Sequence, residues 1–179
     1  MCQLKQVFVN EEDSNQGELL NIALHPTGYY VVIGFTNKLQ FFHILKDKLR
    51  TFKENSQVKY CSCLKFASGG AYLAAAHRKP KASMNHPPYT VSIIDSYSTE
   101  IIKDCKGHMG MVVDIAWTNM DLYMWTAGND GKYIFWELDK EFEGHESEMK
   151  GNEGYTAIAP LIDTEYLFLS GTQGENGWI

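Results

Sequence analysis

The sequence lacks the features of a membrane, secreted or nucleic-acid-binding protein. Its densest apolar run, residues 29–33, is far shorter than the roughly 20 residues of a membrane span. The first residues, MCQLKQVFVNEED, contain neither the hydrophobic centre nor the cleavage site of a secretory signal. The formal net charge of −6 gives no electrostatic support for binding nucleic acid. We therefore expect a protein of the cytosol, or of a space continuous with it, that binds neither membranes nor nucleic acids.

Cysteine is scarce, and its spacing does not indicate a metal site. Of the four cysteines, Cys61 and Cys63 are separated by one residue, and no second pair with metal-ligand spacing exists. If both lie on one strand, this spacing places the two thiols on the same face. Cys2 and Cys105 are isolated. We expect reduced, partly buried thiols.

Sequence signatures of common enzyme classes are absent as well. There is no Gly-x-Ser-x-Gly, no Gly-x-x-x-x-Gly-Lys and no His-Glu-x-x-His. Residues 128–132 read Gly-Asn-Asp-Gly-Lys, which is the wrong spacing for a phosphate-binding loop. Four histidines lack the grouping expected of ligands: His25, His43, His77 and His86. The sequence thus predicts a non-enzymatic protein with no catalytic, cofactor-binding or metal-ligating residues and no cofactor.

The most informative segment that is present is residues 107–138, GHMGMVVDIAWTNMDLYMWTAGNDGKYIFWEL. From His108 to Thr126 is eighteen residues, from Thr126 to Asp130 four, and from Asp130 to Trp136 six. This spacing resembles the WD-repeat motif, which runs Gly-His, then Ser/Thr, then Asp in a tight turn, then Trp-Asp. Here Glu137 follows the tryptophan. The Asn-Asp-Gly turn suits a hairpin, so the segment predicts one blade of a β-propeller.

The WD-repeat resemblance implies a structural role for His108, Thr126, Asp130 and Trp136. In that family the histidine bonds towards the aspartate and the threonine, and the threonine accepts the indole N–H of the tryptophan. Each group then satisfies a polar neighbour that would be unfavourable if buried alone. We interpret this structural tetrad as a staple of the blade.

A repeat of similar length extends through the rest of the chain. Aligning the small residue at the end of the second strand of each unit gives intervals of 42, 52 and 43, near the WD-repeat period of about 40–45. An insertion at residues 77–88 accounts for the long interval. The aligned residues are Gly34, Ala76, Gly128 and Gly171. In this alignment the positions equivalent to Asp130 are Thr36, Arg78 and Gln173, and those equivalent to His108 are Ser14, Ser56 and Gly151.

These units predict an all-β fold, a partial WD-repeat propeller of about three and a half four-stranded blades across residues 1–179. The blades fall at about 11–55, 56–106, 107–150 and an incomplete 151–179, with 1–10 as the outer strand of a preceding blade. The predicted strands are 3–9, 20–24, 29–35, 38–44, 49–54, 61–66, 72–77, 90–95, 101–105, 112–117, 122–127, 133–138, 155–159 and 166–170.

A closed propeller needs at least four blades and WD repeats usually form seven. Because an open ring exposes strand edges and apolar faces, we expect the remaining blades from missing sequence or from another chain. A fragment or truncated gene model is the favoured explanation.

Two charged segments have open interpretations. Arg78, Lys79 and Lys81 form a basic loop, either a solvated one or a contact for an acidic partner such as tubulin. Residues 139–153 contain six acidic residues against two lysines. This acidic segment is either a linker that replaces a regular outer strand or a partner-binding loop, and we favour the linker.

The amino-acid sequence of the first two units is similar to that of one protein family. LLNIALHPTG at residues 19–28, VVIGFTNKL at 31–39 and LRTFKE at 49–54 resemble the axonemal family of cilia- and flagella-associated protein fifty-seven. Unit three keeps the same layout, with DCKGH at 104–108 where that family has Leu-Lys-Gly-His. The resemblance covers nearly the whole chain, is weak after residue 138, and corresponds to part of that family's second propeller.

This resemblance implies a non-enzymatic scaffold of the motile-cilium axoneme. The expected role is to support assembly or regulation of inner dynein arms on doublet microtubules, with axonemal proteins as partners. The implied location is the cytoplasm, the cytoskeleton and the ciliary axoneme. Two alternatives stay open: a generic cytosolic WD-repeat adaptor in a multiprotein complex, and an enzyme that uses the propeller channel.

Overall fold

The computed structural model describes residues 17–46, 48–79, 88–118, 120–138, 143–148, 152–161 and 167–173. Within these ranges every regular element is a β-strand, which confirms the predicted all-β class. Accordingly, this part of the chain contains no helix long and apolar enough to cross a bilayer. The strand predicted at residues 3–9 lies outside the described residues.

Three four-stranded antiparallel sheets follow one another along the chain, and each has its strands in sequence order. The first contains β1 (Leu19–Leu24), β2 (Tyr30–Phe35), β3 (Leu39–Ile44) and β4 (Leu49–Asn55). The second contains β5 (Cys63–Phe66), β6 (Tyr72–Arg78), β7 (Tyr89–Asp95) and β8 (Ile101–Lys106). The third contains β9 (Val112–Trp117), β10 (Tyr123–Gly128), β11 (Lys132–Glu137) and β12 (Glu143–Glu148).

A fourth sheet pairs β13 (Asn152–Pro160) with β14 (Leu167–Gln173). The first strands of successive sheets, β1, β5, β9 and β13, lie next to one another. Each sheet is therefore one blade of a propeller whose inner strands are adjacent.

The linker interpretation of residues 139–153 is wrong, because six of them form β12. β12 pairs with β11 from Glu143 opposite Glu137 to Glu148 opposite Lys132. Its described side chains are exposed. Acidic residues are compatible with this position, since an outermost strand exposes side chains to water and charge there discourages further pairing.

Apolar side chains are buried where neighbouring blades meet. In β6, Leu73 and Ala75 pack towards the first blade, whereas Ala74 and Ala76 pack towards the third. Because side chains alternate across a strand and this blade is covered on both sides, β6 reads as a continuous apolar run instead of an alternating pattern. The core therefore consists of interfaces between blades.

Strand pairing corrects the register of the repeat alignment. An outer-strand acid pairs with a residue of the third strand in each blade: Glu54 with Gln40, Asp104 with Ser92, and Glu146 with Ile134. These third-strand residues pair in turn with Ile33, Ala75 and Thr126 of the second strand.

The structural equivalents of Gly128 are therefore Phe35 and His77, one residue beyond the predicted Gly34 and Ala76. The equivalents of Asp130 likewise become Asn37 and Lys79 in place of Thr36 and Arg78. The alignment matched small residues to Gly128. It was wrong in blades one and two, because there the equivalent position, which faces the preceding blade, holds a large side chain. A shift of one residue exchanges the two faces of a strand.

The predicted common face of Cys61 and Cys63 is also wrong. Cys61 precedes β5 and packs between the first and second blades, whereas Cys63 packs between the second and third. Both are free and buried, as is Cys105. Burial raises the pKa of Cys63 to about 11 and that of Cys105 to about 12. These thiols therefore stay protonated near neutral pH and are poor nucleophiles.

Candidate functional site

The third blade brings His108, Thr126, Asp130 and Trp136 together in one hydrogen-bonded chain. Trp136 on β11 donates its indole N–H to the Thr126 hydroxyl oxygen on β10, at 3.0 Å. That oxygen lies 2.8 Å from Nε2 of His108, which comes from the loop between β8 and β9. On the other side of the ring, Nδ1 lies 3.1 and 3.2 Å from the two oxygens of Asp130.

The partners determine the direction of the hydrogen bonds. The Thr126 oxygen accepts from the indole N–H, and its single hydrogen can point at Nε2 of His108. The ionised Asp130 carboxylate can only accept, so Nδ1 of His108 donates to it. Thr126 is fully buried and His108 and Trp136 are nearly so, at 0%, 2% and 3% exposed. Every polar atom of this buried chain has a partner, which favours a single, rigid arrangement.

Asp130 also ties the incoming loop to the β10–β11 turn. It accepts backbone N–H groups from Met109 at 2.7 Å, Gly110 at 3.1 Å and Lys132 at 3.2 Å. Burial alone raises the pKa of Asp130, but the hydrogen bond from His108 and the bonds from Gly110 and Met109 outweigh it and hold the pKa well below its usual range. The carboxylate is thus fully ionised at neutral pH and has its acceptors occupied.

Glycine at position 128 is required by this arrangement. A Cβ there would lie 2.6 Å from Nδ1 of His108 and would also collide with the Asp130 carboxylate. The Gly-Asn-Asp-Gly turn therefore serves two purposes, since it closes the hairpin and leaves room for the imidazole.

The second blade holds a different buried network that sequence reasoning missed. His77 occupies the position of Gly128, and its Nε2 lies 2.8 Å from the Ser92 hydroxyl oxygen. Ser92 donates its hydrogen to Asp104 at 2.6 Å, so Nε2 of His77 is the donor in the first contact. Lys79 forms an ion pair with the other oxygen of Asp104. His, Ser and Asp on consecutive strands were the available signal, but only the correct register places them together.

Burial shapes the protonation of this second network. His77 is 2% exposed, and its Nδ1 has no hydrogen-bond partner in the described part of the chain. Burial lowers the pKa of His77 to about 4, against the smaller opposing influence of Asp104. Burial raises the pKa of Asp104, yet hydrogen bonds from Lys79 and Ser92 leave it below its ordinary value. His77 is neutral at pH 7, and the network is a second staple built from other residues.

Loop contacts on the β1–β2 side connect the blades at their edge. The Asp121 carboxylate, in the β9–β10 turn, accepts the backbone N–H groups of Ser68 at 2.6 Å and Gly69 at 2.5 Å in the second blade. One blade earlier, Nε2 of His25 lies 3.0 Å from the Gly70 carbonyl oxygen. Corresponding turns of successive blades are therefore joined by polar contacts.

The structure separates the residues of the predicted basic loop. Arg78 is the last residue of β6 and lines a cavity of about 400 Å³ with Tyr60, Ser62, Tyr89 and Met111. Lys79 is engaged with Asp104, and Lys81 lies outside the described residues. The predicted insertion at 77–88 also begins too early, since His77 and Arg78 belong to β6 and pair with Thr90 and Tyr89.

In the described ranges, no group of three or more His, Cys, Asp or Glu side chains is placed to hold a metal ion. Apart from Nδ1 of His77, the tetrad and the His77 network have their polar groups directed at one another, so both are suited to holding strands together.

Comparison with known proteins identifies relatives by sequence and by fold. No protein-family model matches the chain. The chain is 31% identical over 157 residues to cilia- and flagella-associated protein 57 of Mus musculus, covering 88% of the chain and 12% of that protein. It is 32% identical over 134 residues to cilia- and flagella-associated protein 57 C of Tetrahymena thermophila, covering 70% of the chain and 10% of that protein. The chain therefore spans only a small part of these relatives.

Solved structures agree on the fold. The structure of U3-55K superposes with a TM-score of 0.72 at 13% identity, covering 88% of this chain and 47% of that one. The crystal structure of the RRP9 WD40 repeats gives a TM-score of 0.71 at 13% identity, covering 88% of this chain and 46% of that one. Consecutive four-stranded blades, a histidine–threonine–tryptophan staple and these likenesses lead to one identification. The chain has the WD-repeat propeller fold and resembles the cilia- and flagella-associated protein 57 family over most of its own length.

Proposed function

We propose that this chain is part of a non-enzymatic scaffold of the motile-cilium axoneme, supporting assembly or regulation of inner dynein arms on doublet microtubules. The observation that carries this proposal is the similarity of 157 of its residues to cilia- and flagella-associated protein 57 of Mus musculus. A stack of rigid blades presents loops and edges to several partners at once, which suits a scaffold.

The buried hydroxyl and thiol groups favour a scaffold over an enzyme. The hydroxyls of Thr126 and Ser92 are both fully buried and hydrogen-bonded. The thiols of Cys63 and Cys105 are buried with raised pKa values. A reacting group must be reachable by substrate and have a pKa suited to its task, so these groups are better explained as structure.

We propose that further blades complete the ring, contributed by additional sequence or by another chain. The chain covers 47% of the WD40 structure that it resembles, so the matching propeller needs about as much structure again. Leu20, Ile22 and Leu24 lie on alternate positions of β1 and are 41%, 59% and 60% exposed. An apolar stripe of this kind is typical of a surface that another part of an assembly covers.

Co-purification from ciliated cells distinguishes the axonemal scaffold from a generic cytosolic WD-repeat adaptor. A tagged protein expressed at its natural level is expected to recover inner dynein arm components and doublet proteins. The same tag on an unrelated WD-repeat protein serves as the control. Recovery of a stable non-ciliary complex, with dynein and doublet components at the control level, would replace the axonemal proposal by the adaptor.

A further inference from the structure

The cavity beside Arg78 is built from three separate segments of the chain. Tyr60 and Ser62 belong to the segment that connects β4 to β5, and Met111 precedes β9. Arg78 and Tyr89 pair where β6 ends and β7 begins. The cavity, of about 400 Å³, therefore lies where the second blade meets the loops that lead into the second and third blades. This is the lower end of the size range of small-ligand pockets.

Arg78 brings a positive charge to the lining of this cavity, although the whole chain has a net charge of −6. Arg78 is the charged member of the described lining and forms no ion pair with the other described residues. The Asp104 carboxylate on the neighbouring strand β8 is occupied by Lys79 and Ser92. Lys59 precedes Tyr60, and Lys106 pairs with Thr90, next to Tyr89. An anionic group would therefore meet a guanidinium that has no ion pair among the described residues.

The backbone at Tyr60 is held in an unusual conformation. Its φ of 52° lies in the left-handed region, which is rare for a bulky residue. The conformation is fixed by a hydrogen bond from its N–H to the Thr36 carbonyl oxygen at 3.1 Å. The residue is nevertheless 55% exposed, so this strain is not compensated by burial. Local strain of this kind concentrates at binding sites, where it aims a side chain at a ligand.

The remaining lining supplies an apolar surface next to the cation. Tyr60, Tyr89 and Met111 present two rings and a thioether. Ser62 donates its hydroxyl hydrogen to the Val112 carbonyl oxygen at 2.7 Å, which holds the floor of the cavity to the third blade. The combination of rigid aromatic surface, an adaptable methionine and one arginine is typical of a site that recognises a peptide.

We propose that this cavity binds an acidic peptide segment of a partner protein. A carboxylate of the peptide pairs with Arg78, and an adjacent apolar side chain packs against Tyr60, Tyr89 and Met111. Arginine suits this role because its planar guanidinium can form two parallel bonds with one carboxylate. The inference rests on the proposed scaffold function and specifies the chemistry of one partner contact.

Fluorescence polarisation tests the proposal with the whole 179-residue chain and fluorescein-labelled acetyl-Glu-Glu-Phe-Glu-Glu-amide. Saturable binding is expected, and the matched Gln-Gln-Phe-Gln-Gln peptide is expected not to bind. Arg78→Glu should raise Kd by about tenfold or more, because it replaces the contacting cation by a repelling charge. The matched control is Arg50→Glu on β4, an exposed arginine outside the cavity lining. It should change Kd by less than about twofold.

A second variant separates the ring from the charge. Tyr60→Gly removes the aromatic surface while glycine accepts the positive φ without strain, so the variant should fold and bind the peptide several-fold more weakly. Equal weakening by Arg78→Glu and Arg50→Glu would show general charge attraction and overturn the proposal. So would displacement of the peptide by a single-stranded oligonucleotide at equal concentration, or absence of saturable binding. None of these results bears on retention of the protein in the axoneme, which is measured separately.

Discussion

At the scale of single residues, Thr126 holds the central position of the third blade. Its hydroxyl oxygen accepts from Trp136 and its hydrogen points at His108, both of them buried. Thr126→Val keeps the shape of the side chain but leaves two buried polar groups without a partner. We expect the free energy of unfolding to fall by about 2–4 kcal/mol. Urea denaturation measures this change.

The matched control for that substitution is Thr51→Val, on the outer strand β4, where the side chain is exposed. It makes the same chemical change without breaking the buried network, so we expect a change below about 0.5 kcal/mol. Equal effects of the two substitutions would contradict the central role of Thr126.

His77 predicts a pH dependence that comes from the second blade. Its folded pKa, about 4, is below its unfolded value of 6.5, so the unfolded state binds more protons between these two values. Stability is therefore full above pH 6.5, is lost as the pH falls towards 4, and then levels off with respect to this group. The variant His77→Phe carries the residue type that blade one has at this position. Its free energy of unfolding should change with pH less steeply, by up to about 1.4 kcal/mol per pH unit.

Unfolding free energies measured between about pH 7 and pH 4 test this expectation. His43→Phe is the matched control, because His43 lies on β3 with an exposed side chain. An unchanged slope in His77→Phe would show that the histidine does not titrate as its burial requires.

At the scale of elements, Asp121 is expected to couple the second and third blades. Asp121→Ala removes two acceptors from the backbone N–H groups of Ser68 and Gly69. We expect faster hydrogen exchange at those two amides and a loss of about 1–3 kcal/mol in stability. Asp95→Ala is the control, since among the described residues the Asp95 carboxylate accepts N–H groups from its own turn, at Tyr97 and Ser98. Protection of Ser68 and Gly69 that survives Asp121→Ala would rule out this coupling.

Sequence reasoning located most strands because alternation, turn residues and the WD-repeat spacing all act locally. β9 begins and ends where predicted, at Val112 and Trp117. It missed β12, because an acidic outer strand has the composition of a linker and is identified only by its pairing with β11. It placed the repeat one residue out of register in blades one and two, because which side chain faces the neighbouring blade depends on pairing across strands.

The two polar networks also differ in whether they can be predicted from the sequence. The tetrad of the third blade follows a known spacing and could be assigned from the sequence. His77 and Ser92 are fifteen residues apart and lie on the two strands of the β6–β7 hairpin. The segment that connects these strands does not have the length typical of the repeat. No local pattern indicates such a contact, so only the folded arrangement shows it. The cavity at Arg78 could not be predicted from the sequence either, because its lining residues come from three separate segments.

At the scale of the whole molecule, we expect the isolated chain to associate. Within the described residues β14 pairs only with β13, and Phe168 on β14 is 62% exposed. Exposed strand edges and apolar faces drive pairing with other chains. Light scattering after size exclusion should give a concentration-dependent mass above 20.3 kDa. A constant monomer mass between about 1 and 100 µM would contradict the expectation that further blades are needed.

Fractionation of motile cilia tests the proposed function most directly. The protein is tagged at its natural level, cilia are detached, and membrane and matrix are removed by detergent before the axonemes are washed with salt. A scaffold of the inner dynein arm region is predicted to remain with the salt-washed axonemes, as the doublets do. Recovery of the protein only in the cell body, with none in the washed axonemes, would contradict the axonemal scaffold.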